Sequence, residues 1–303
     1  MTKRDLLSID DLAPDELTEL LTGAAKLKKK SRPDVIEGKQ VALIFEKPST
    51  RTRVSFEVAI TSMGGHAVVL RGDELQLGRG ETIADTGLVL SGYVDAIVVR
   101  TFGQDRIEAL ASSATIPVVN ALSDYSHPCQ ALADLQTIKE NKDDLEGLSL
   151  GYLGDGNNVA HSLMFGGTKM GMHVRVACPA GHEPSPDVVT RCTAIGAETG
   201  GSVTVTRVVA EAASNADVLY TDVWASMGQE SESENRKEVF EHYQLNRAAV
   251  ELAADDVIVM HCLPAHRGEE ISAEVMDGPR SVVWDQAENR LHSQKALLAW
   301  LLG

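Results

Sequence analysis

Cysteine is scarce in this 303-residue sequence, and no two cysteines have the CxxC spacing of a metal or redox motif. The four, Cys129, Cys178, Cys192 and Cys262, are scattered, which excludes a disulfide scaffold and indicates a reducing compartment. No apolar run approaches the roughly 20 residues that cross a bilayer, and no apolar signal core follows residues 1–5. We therefore expect a soluble, cytoplasmic protein with no membrane partner.

Basic residues are also few. The chain has 28 lysines and arginines against 44 aspartates and glutamates, which gives a net charge of −16. Because nucleic-acid binding needs clustered basic residues, we expect no nucleic-acid partner. Hydrophobic residues make up 43% of the chain, enough for a packed core, and the length suits two domains. A basic loop on so acidic a chain indicates a small anionic ligand.

Such a loop, with the sequence STRTR at residues 49–53, lies between a predicted strand at 41–45 and a predicted helix at 54–63. A helix start favours an anion, because its N–H groups lack acceptors and the macrodipole is positive there. Hydroxyl groups at 49, 50 and 52 add donors, and Arg51 and Arg53 add guanidinium groups that fit phosphate oxygens. The alternative is a capped helix with solvated arginines; we favour the phosphate site.

Apolar runs of strand length alternate with helix-like stretches along the chain. We predict strands at 41–45, 67–70, 96–99, 117–120, 148–153, 174–178, 202–205, 218–220, 257–260 and 282–284, and helices at 14–30, 54–63, 83–92, 131–139 and 293–302, among others. This alternation is typical of parallel sheets with helices on both faces. We expect an α/β protein with domains at 1–140 and 141–285, and a C-terminal helix at about 286–303 that packs back on the first domain.

Polar side chains follow several of these strands. Ligands of parallel sheets bind at the carboxyl ends of strands, so we expect Arg51, Arg100 and the stretch after Asn120 to converge on one site. That stretch contains His127 before Pro128, where a histidine either polarises a carbonyl group or caps the next helix.

The glycine-rich loop at 151–158 has two interpretations. It could bind a dinucleotide in a nicotinamide-dependent oxidoreductase, but it lacks the GxGxxG spacing and an acid about 20 residues further on. Otherwise it is a tight turn that positions Asn157 or Asn158 for hydrogen bonding. We consider the dinucleotide site the weaker interpretation.

Two further stretches carry reactive side chains. Asp222 follows a predicted strand and either holds an ammonium group or is a solvent-facing turn residue. Residues 261–266, HCLPAH, include metal-capable side chains but lack a paired cysteine or the HExxH spacing of a zinc site. Cys262 is either an inert buried thiol or a nucleophile.

Taken together, four motifs resemble those of the aspartate/ornithine carbamoyltransferase family: STRTR at 49–53, HPCQ at 127–130, DVWASMG at 222–228 and HCLP at 261–264. The likeness extends over nearly the whole chain. The last two motifs point to ornithine rather than aspartate, since aspartate enzymes have an HPLPR-like pattern in place of HCLP.

This resemblance implies a reaction and an architecture. The carbamoyl group of carbamoyl phosphate would pass to the δ-amine of L-ornithine by direct amine attack, giving L-citrulline and phosphate, as in arginine biosynthesis. The reaction would need no metal and no organic cofactor. The active site would lie in the cleft between two α/β domains.

The resemblance also implies a role for each matching residue. Catalysis would involve Arg100, His127, Cys262 and Asp222. The residues that would bind carbamoyl phosphate are Ser49, Thr50, Arg51, Thr52, Gln76, Arg100, His127, Pro128, Cys129, Gln130, Cys262, Leu263 and Arg290. Those that would bind ornithine are Asn158, Asp222, Ser226 and Met227.

Family members are built on trimers, which implies a homotrimer or a multiple of trimers. The loop at 75–82, with Gln76, would complete the site of a neighbouring subunit, and the loop after Gly228, at 229–234, would close as a lid. One stretch departs from the family: residues 87–92 read GLVLSG in place of ARVLSR. Each glycine would weaken the predicted helix by up to about 1 kcal/mol relative to alanine.

Other functions fit part of this pattern. The chain could carbamoylate another amine, such as putrescine or an N-acylated ornithine, although Asp222, Ser226 and Met227 favour a free α-amino acid. It could also be a non-catalytic binding subunit. The joint presence of Arg51, Arg100, His127, Gln130 and Cys262 argues against that alternative.

Overall fold

The computed structural model describes residues 3–30, 34–72, 80–225 and 233–303, with only the backbone at 233 and 234. Gln76, Ser226 and Met227 lie outside the described residues, as does most of the predicted lid. The chain divides into two compact units. Unit 1 comprises Met1–Gln136 and Asn289–Gly303, and unit 2 comprises Thr137–Glu288. Among the described helices, none is both long enough and apolar enough to cross a membrane.

Unit 1 contains a four-stranded parallel sheet in the order β2-β1-β3-β4. Its strands are β1 (Gln40–Phe45), β2 (His66–Arg71), β3 (Ala96–Arg100) and β4 (Val118–Leu122). Its helices are α1 (Pro14–Lys28), α2 (Thr50–Ser62), α3 (Ile83–Ser91), α4 (Gln104–Ser113) and the start of α5 (Pro128–Lys142). The inner strands β1 and β3 are almost wholly buried, which explains their continuous apolar sequences.

Unit 2 contains a five-stranded parallel sheet in the order β7-β6-β5-β8-β9. The strands are β5 (Ser149–Leu153), β6 (His173–Ala177), β7 (Ser202–Thr206), β8 (Val218–Thr221) and β9 (Ile258–His261). The helices are α6 (Asn158–Lys169), α7 (Pro186–Thr199), α8 (Val209–Ala213), α9 (Ser233–Phe240), α10 (Arg247–Leu252), α11 (Ala273–Met276) and the start of α12 (Val283–Leu302). The prediction of two parallel sheets flanked by helices is confirmed.

One predicted strand is wrong. Residues 282–284 do not form a strand, because α12 begins at Val283 and runs for 20 residues. Strand-like pairing here is limited to an isolated bridge between Val259 and Ser281. A short apolar run fits a strand and a buried helix start equally well. The acid that follows, Asp285, lies in the first turn of α12, where a negative charge favours a helix.

The unusual GLVLSG stretch is accommodated by close helix packing. Gly87 is buried within α3, and a Cβ atom there would collide with Ser113 Oγ on α4. Gly92 lies at the C-cap, just outside α3. Only one of the two glycines therefore weakens the helix interior, and that one allows α3 and α4 to approach each other.

Candidate active site

In unit 1, the residues predicted to bind phosphate follow three adjacent strand ends. Phe45 at the end of β1 pairs with Arg100 at the end of β3, and Arg100 pairs with Leu122 at the end of β4. Since β2 and β3 lie on opposite sides of β1, the order in which the strands are added reverses between β1 and β3. Ligands of open α/β sheets bind at the carboxyl ends of the strands beside such a point.

The loop after β1 leads into the start of α2. Ser49 is the N-cap, and its Oγ accepts a hydrogen bond from the Thr52 backbone N–H at 3.3 Å. Thr50 and Arg51 follow in the first turn and are exposed, where N–H groups lack intrahelical acceptors. Arg53 instead forms an exposed ion pair with Glu57 at 2.7 Å. The structure therefore confirms a helix start at this loop but gives Arg53 a different partner.

His127 is buried close to three arginines. Burial lowers the pKa of its imidazole well below the usual value, and the positive charges of Arg290, Arg100 and Arg51 lower this pKa further. The ring is therefore neutral at physiological pH, and a neutral imidazole can donate one N–H to a carbonyl oxygen. The His127 backbone carbonyl accepts from the Gln130 and Ala131 N–H groups at 3.0 and 3.3 Å at the start of α5.

Arg290 connects three separate parts of unit 1. It is buried on α12, where Nη1 donates to Gln130 Oε1 at 2.5 Å and Nη2 donates to Thr52 Oγ1 at 3.2 Å. Gln130 Nε2 in turn donates to the buried carboxylate of Asp134 at 2.8 Å. Asp134 thus orients the Gln130 amide so that its oxygen faces Arg290. The sequence reasoning missed Asp134, although its i, i+4 spacing from Gln130 on α5 was a signal.

Pro128 and Cys129 belong to the core of this region. Pro128 is the first residue of α5 and is buried, a position that suits proline because its missing N–H is not needed there. The Cys129 thiol is fully buried and donates to the Asn120 backbone carbonyl at 3.4 Å. Burial raises the pKa of this thiol to about 12. Cys129 is therefore an unreactive packing residue in this structure.

In unit 2, the candidate residues again follow adjacent strand ends. Leu153 of β5 pairs with Thr221 of β8, which pairs with His261 of β9. Asp222 and Cys262 come directly after two of these strand ends. β6 and β8 lie on opposite sides of β5, so the strand order reverses between β5 and β8. The loop after β5 and Asp222 therefore lie where ligands of such sheets bind.

The buried Asp222 carboxylate accepts three hydrogen bonds. Its Oδ2 accepts from Asn157 Nδ2 at 2.8 Å. Its Oδ1 accepts from the Val223 backbone N–H and from Cys262 Sγ, each at 2.8 Å. Asp222 is therefore not a solvent-facing turn residue, and Cys262 is only partly buried.

The glycine-rich loop forms the tight turn that we predicted as an alternative to a dinucleotide site. Gly154 has a φ of +135°, and a Cβ atom on Gly156 would collide with the Pro184 backbone. Backbone geometry therefore requires both glycines. Asn157 is the N-cap of α6, and its Oδ1 accepts from the Val159 and Ala160 N–H groups. Asn158 is the first residue of α6 and is buried.

The turn after β9 is held by two residues that the sequence reasoning did not assign. His261 Nδ1 accepts from the Leu263 N–H at 2.8 Å, and His261 Nε2 lies 3.0 Å from Glu270 Oε1, so Nε2 carries the proton. Burial opposes the ionised form of Glu270, but hydrogen bonds from His261 and the His266 backbone hold its pKa below the usual value. These contacts support Leu263 at a φ of +61°, which is rare for a branched side chain.

Two clusters of described residues have potential metal ligands within 4.8 Å of one another: Asp222, His261 and Cys262, and His266, Glu269 and Glu270. In the first cluster both ring nitrogens of His261 contact protein atoms, and the thiol of Cys262 contacts Asp222. The second cluster includes a carboxylate already shared with His261. The absence of a metal from the reaction stays a prediction.

The structure thus brings together two groups of predicted residues. Within unit 1 it gathers Thr52, Arg100, His127, Gln130 and Arg290, with Arg51 near them, and within unit 2 it gathers Asp222 and Cys262 with Asn157. Gln76, Ser226 and Met227 lie outside the described residues.

Comparisons with known proteins identify the family of both units. Residues 4–140 match the model of the aspartate/ornithine carbamoyltransferase carbamoyl-P binding domain, and residues 146–301 match that of the Asp/Orn binding domain. An ornithine carbamoyltransferase from Parafrankia sp. is 60% identical over 307 residues, covering 100% of this chain and 97% of the relative.

Solved structures show the same similarity. The ornithine carbamoyltransferase from Pyrococcus furiosus has a TM-score of 0.97 and 53% identity, covering 100% of this chain and 98% of the other. An acetylornithine transcarbamylase complexed with acetylcitrulline has a TM-score of 0.90 and 32% identity, covering 99% of each chain.

Proposed function

Because the chain belongs to the aspartate/ornithine carbamoyltransferase family, we propose that it transfers the carbamoyl group of carbamoyl phosphate to the δ-amine of L-ornithine. The products are L-citrulline and phosphate. The observation that carries this proposal is the buried, neutral His127 beside three arginines in unit 1. These groups suit a dianionic phosphate joined to a polarised carbonyl.

Carbamoyl phosphate binds to unit 1 in this proposal. The start of α2, with Ser49, Thr50, Arg51 and Thr52, holds the phosphate oxygens. Arg100, His127 and Thr52 donate to the carbamoyl oxygen, where negative charge grows as the amine attacks. Gln130 Oε1 accepts from the carbamoyl NH₂ group, and the bond from Gln130 to Asp134 supports this orientation of the amide.

Arg290 has a second role at this end of the substrate. It lies near the carbamoyl group and also donates to Gln130 and Thr52. Its two hydrogen bonds hold a rigid guanidinium fork in place before the substrate arrives. Because these groups are already oriented when the substrate binds, less entropy is lost on reaching the transition state, and the barrier to carbamoyl transfer is lower.

Ornithine binds to unit 2 in this proposal. The carboxylate of Asp222 accepts from the α-ammonium group, and Asn158, Ser226 and Met227 complete the site for the α-amino acid. Cys262 lies beside the δ-nitrogen, and the Leu263 backbone carbonyl accepts from the carbamoyl NH₂. The three hydrogen bonds to Asp222 support its role as an acceptor held in a fixed orientation.

The transfer needs no protein nucleophile. The lone pair of the neutral δ-amine forms a bond to the carbamoyl carbon and gives a tetrahedral intermediate. The bond from that carbon to the phosphate oxygen then breaks, and the proton lost by the nitrogen leaves with the phosphate. Because an alkyl ammonium group has a pKa of about 10.4, the rate should rise with pH as the δ-amine is deprotonated. A flat rate from mildly acidic to alkaline pH would contradict direct amine attack.

N-acetylornithine is the second candidate acceptor, since the chain also resembles an acetylornithine transcarbamylase. Acetylation removes the α-ammonium charge, whereas Asp222 is a buried carboxylate suited to a cation. The buried carboxylate therefore favours free ornithine.

We also propose that the protein acts as a homotrimer in which Gln76 of one subunit completes the phosphate site of the next. Exposed apolar side chains on unit 1 support burial against another copy: Val54, Val58, Leu88, Val89, Tyr93 and Phe102.

The proposed function is tested by measuring citrulline formed from carbamoyl phosphate and L-ornithine. We expect turnover by the wild type and a loss of at least about 100-fold in Arg100→Ala, because one charge-assisted donor to the developing oxyanion is removed. Arg247→Ala, which removes an exposed arginine paired with Glu251, is the matched control and should keep full activity. Absence of turnover in the wild type would overturn the proposal.

A further inference from the structure

We propose that Asn157 is a positioning residue for ornithine, because it holds the carboxylate of Asp222 in the orientation that receives the α-ammonium group. This inference rests on the proposed function of Asp222. It assigns a role to a residue that the sequence motifs left undecided between two neighbouring asparagines.

The two ends of the Asn157 amide have different partners. Nδ2 donates to Asp222 Oδ2 at 2.8 Å. Oδ1 accepts from the Val159 N–H at 2.9 Å and the Ala160 N–H at 3.2 Å, and the Tyr152 hydroxyl lies 3.3 Å from it. The helix start thus fixes one end of the amide, so the other end presents its donor in a defined direction.

Asp222 depends on this donor for the position of one oxygen. Its Oδ1 is held by the Val223 N–H and by Cys262 Sγ, while the described contact of its Oδ2 is Asn157. With donors on both oxygens, the carboxylate cannot rotate freely about its Cβ–Cγ bond. A carboxylate offers about four lone-pair sites, so at least one remains for the ammonium group of ornithine.

Tyr152 also restrains the side-chain amide of Asn157. Its hydroxyl is fully buried, and burial together with the negative charge of Asp222 raises its pKa well above the usual value. The phenol therefore stays protonated and donates to Asn157 Oδ1. With three donors on Oδ1, the amide is prevented from flipping, and Nδ2 remains directed at Asp222.

The capping role of Asn157 and its positioning role can be separated by mutation. Serine caps helices about as well as asparagine does, but its hydroxyl is too short to replace Nδ2 at Asp222. Asn157→Ser therefore keeps the start of α6 and removes the donor. Asn246 is the matched control, because it is the N-cap of α10 in the same unit and its side chain accepts from the Ala249 N–H.

Steady-state kinetics test the inference. We expect Asn157→Ser to raise the KM for ornithine by about 10-fold to 100-fold, the effect of one hydrogen bond to a charged group. The KM for carbamoyl phosphate and the kcat at saturating ornithine should change by less than about 3-fold, since uniform binding of one substrate is lost. Asn246→Ser should change none of the three. An unchanged KM for ornithine in Asn157→Ser would overturn the inference.

A double-mutant cycle shows whether Asn157 acts through Asp222. In the Asp222→Asn background, Asn157→Ser should raise the KM for ornithine by less than about a further 3-fold. The reason is that the effects of mutations at two residues that act as a unit are not additive. A full additive effect would mean that Asn157 acts elsewhere and would overturn the inference. If Asn157→Ser does not fold, Asn157→Thr, whose hydroxyl also caps a helix start and is too short to replace Nδ2, takes its place in the same cycle.

The same assays separate this inference from the proposed function. If the wild type forms no citrulline from ornithine, the proposed function fails. If the wild type is active and Asn157→Ser matches it in all three parameters, only the positioning role fails.

Discussion

The thiol of Cys262 donates a hydrogen bond to Oδ1 of Asp222, with sulfur and oxygen 2.8 Å apart. The thiol thus acts as a donor to the carboxylate that we assign to ornithine, and it helps to hold that carboxylate in place. This geometry fits a reaction in which the substrate amine is the nucleophile.

Cys262→Ala should therefore weaken the ornithine site. Loss of a hydrogen bond to a charged group predicts a fall in kcat/KM for ornithine of about 10-fold to 100-fold. Cys262→Ser keeps a donor of similar size and should lose less than about 10-fold. Equal loss in the two variants would contradict the assigned donor role. The measurement is citrulline formation at varied ornithine and saturating carbamoyl phosphate.

Thiol labelling under native conditions should modify one cysteine. Cys262 is partly exposed, while Cys129, Cys178 and Cys192 are buried. Burial raises the pKa of the Cys129 and Cys178 thiols to about 12, so these groups are not thiolates at neutral pH. We expect one rapidly reacting thiol per chain, slowed by ornithine. Cys262→Ser should abolish the rapid phase; its persistence would place the reactive thiol elsewhere.

Folding stability should depend on pH through His127. In the unfolded chain its pKa returns to about 6.5, whereas burial and Arg290 hold the folded pKa well below that value. As pH falls below the unfolded pKa, the unfolded state binds a proton that the folded state does not, so stability present above pH ~6.5 is lost at about 1.4 kcal/mol per pH unit.

His127→Gln should remove this dependence. From pH 7.5 to 5.5, the free energy of unfolding should fall by about 1.4 kcal/mol less in the variant than in the wild type, measured by urea denaturation. His242→Gln, at an exposed position, is the control and should follow the wild type. Parallel pH profiles for wild type and His127→Gln would contradict a buried neutral imidazole.

Sharing of sites between subunits predicts intersubunit complementation. Gln76→Ala and Arg100→Ala chains should each be nearly inactive alone. After mixing, unfolding and refolding together, hybrid oligomers should regain activity, because a Gln76→Ala chain can receive an intact Gln76 from an Arg100→Ala neighbour. Refolding of each variant alone is the control. A monomer with full activity, or mixtures no more active than the separate variants, would refute the shared loop.

The sequence predicted secondary-structure elements better than it predicted side-chain partners. Continuous apolar runs such as 41–45 and 96–99 identify buried parallel strands, because both faces are covered. The run at 282–284 failed, because three apolar residues have no periodicity that separates strand from helix.

The contacts of the supporting residues could not be predicted, for a different reason. Asp134, Asn157 and Glu270 act on Gln130, Asp222 and His261. Two of these contacts join residues of different secondary-structure elements or loops, and all of them depend on the rotamers of buried side chains. A motif names the residue type that meets the substrate, but the orientation of that residue depends on packing. Arg53 is the opposite case. It belongs to a motif typical of phosphate binding, but in the structure it forms an i, i+4 ion pair with Glu57.

The identity of the acceptor is the central claim, and competition among amines tests it most directly. Citrulline or its analogues should be measured from carbamoyl phosphate with L-ornithine, N-acetylornithine, putrescine and L-aspartate as rival acceptors. We predict turnover with L-ornithine and a kcat/KM at least about 100-fold lower for each rival, because each lacks the free α-amino acid or the δ-amine. Higher kcat/KM for N-acetylornithine or putrescine would contradict the role of Asp222 in holding the α-ammonium group.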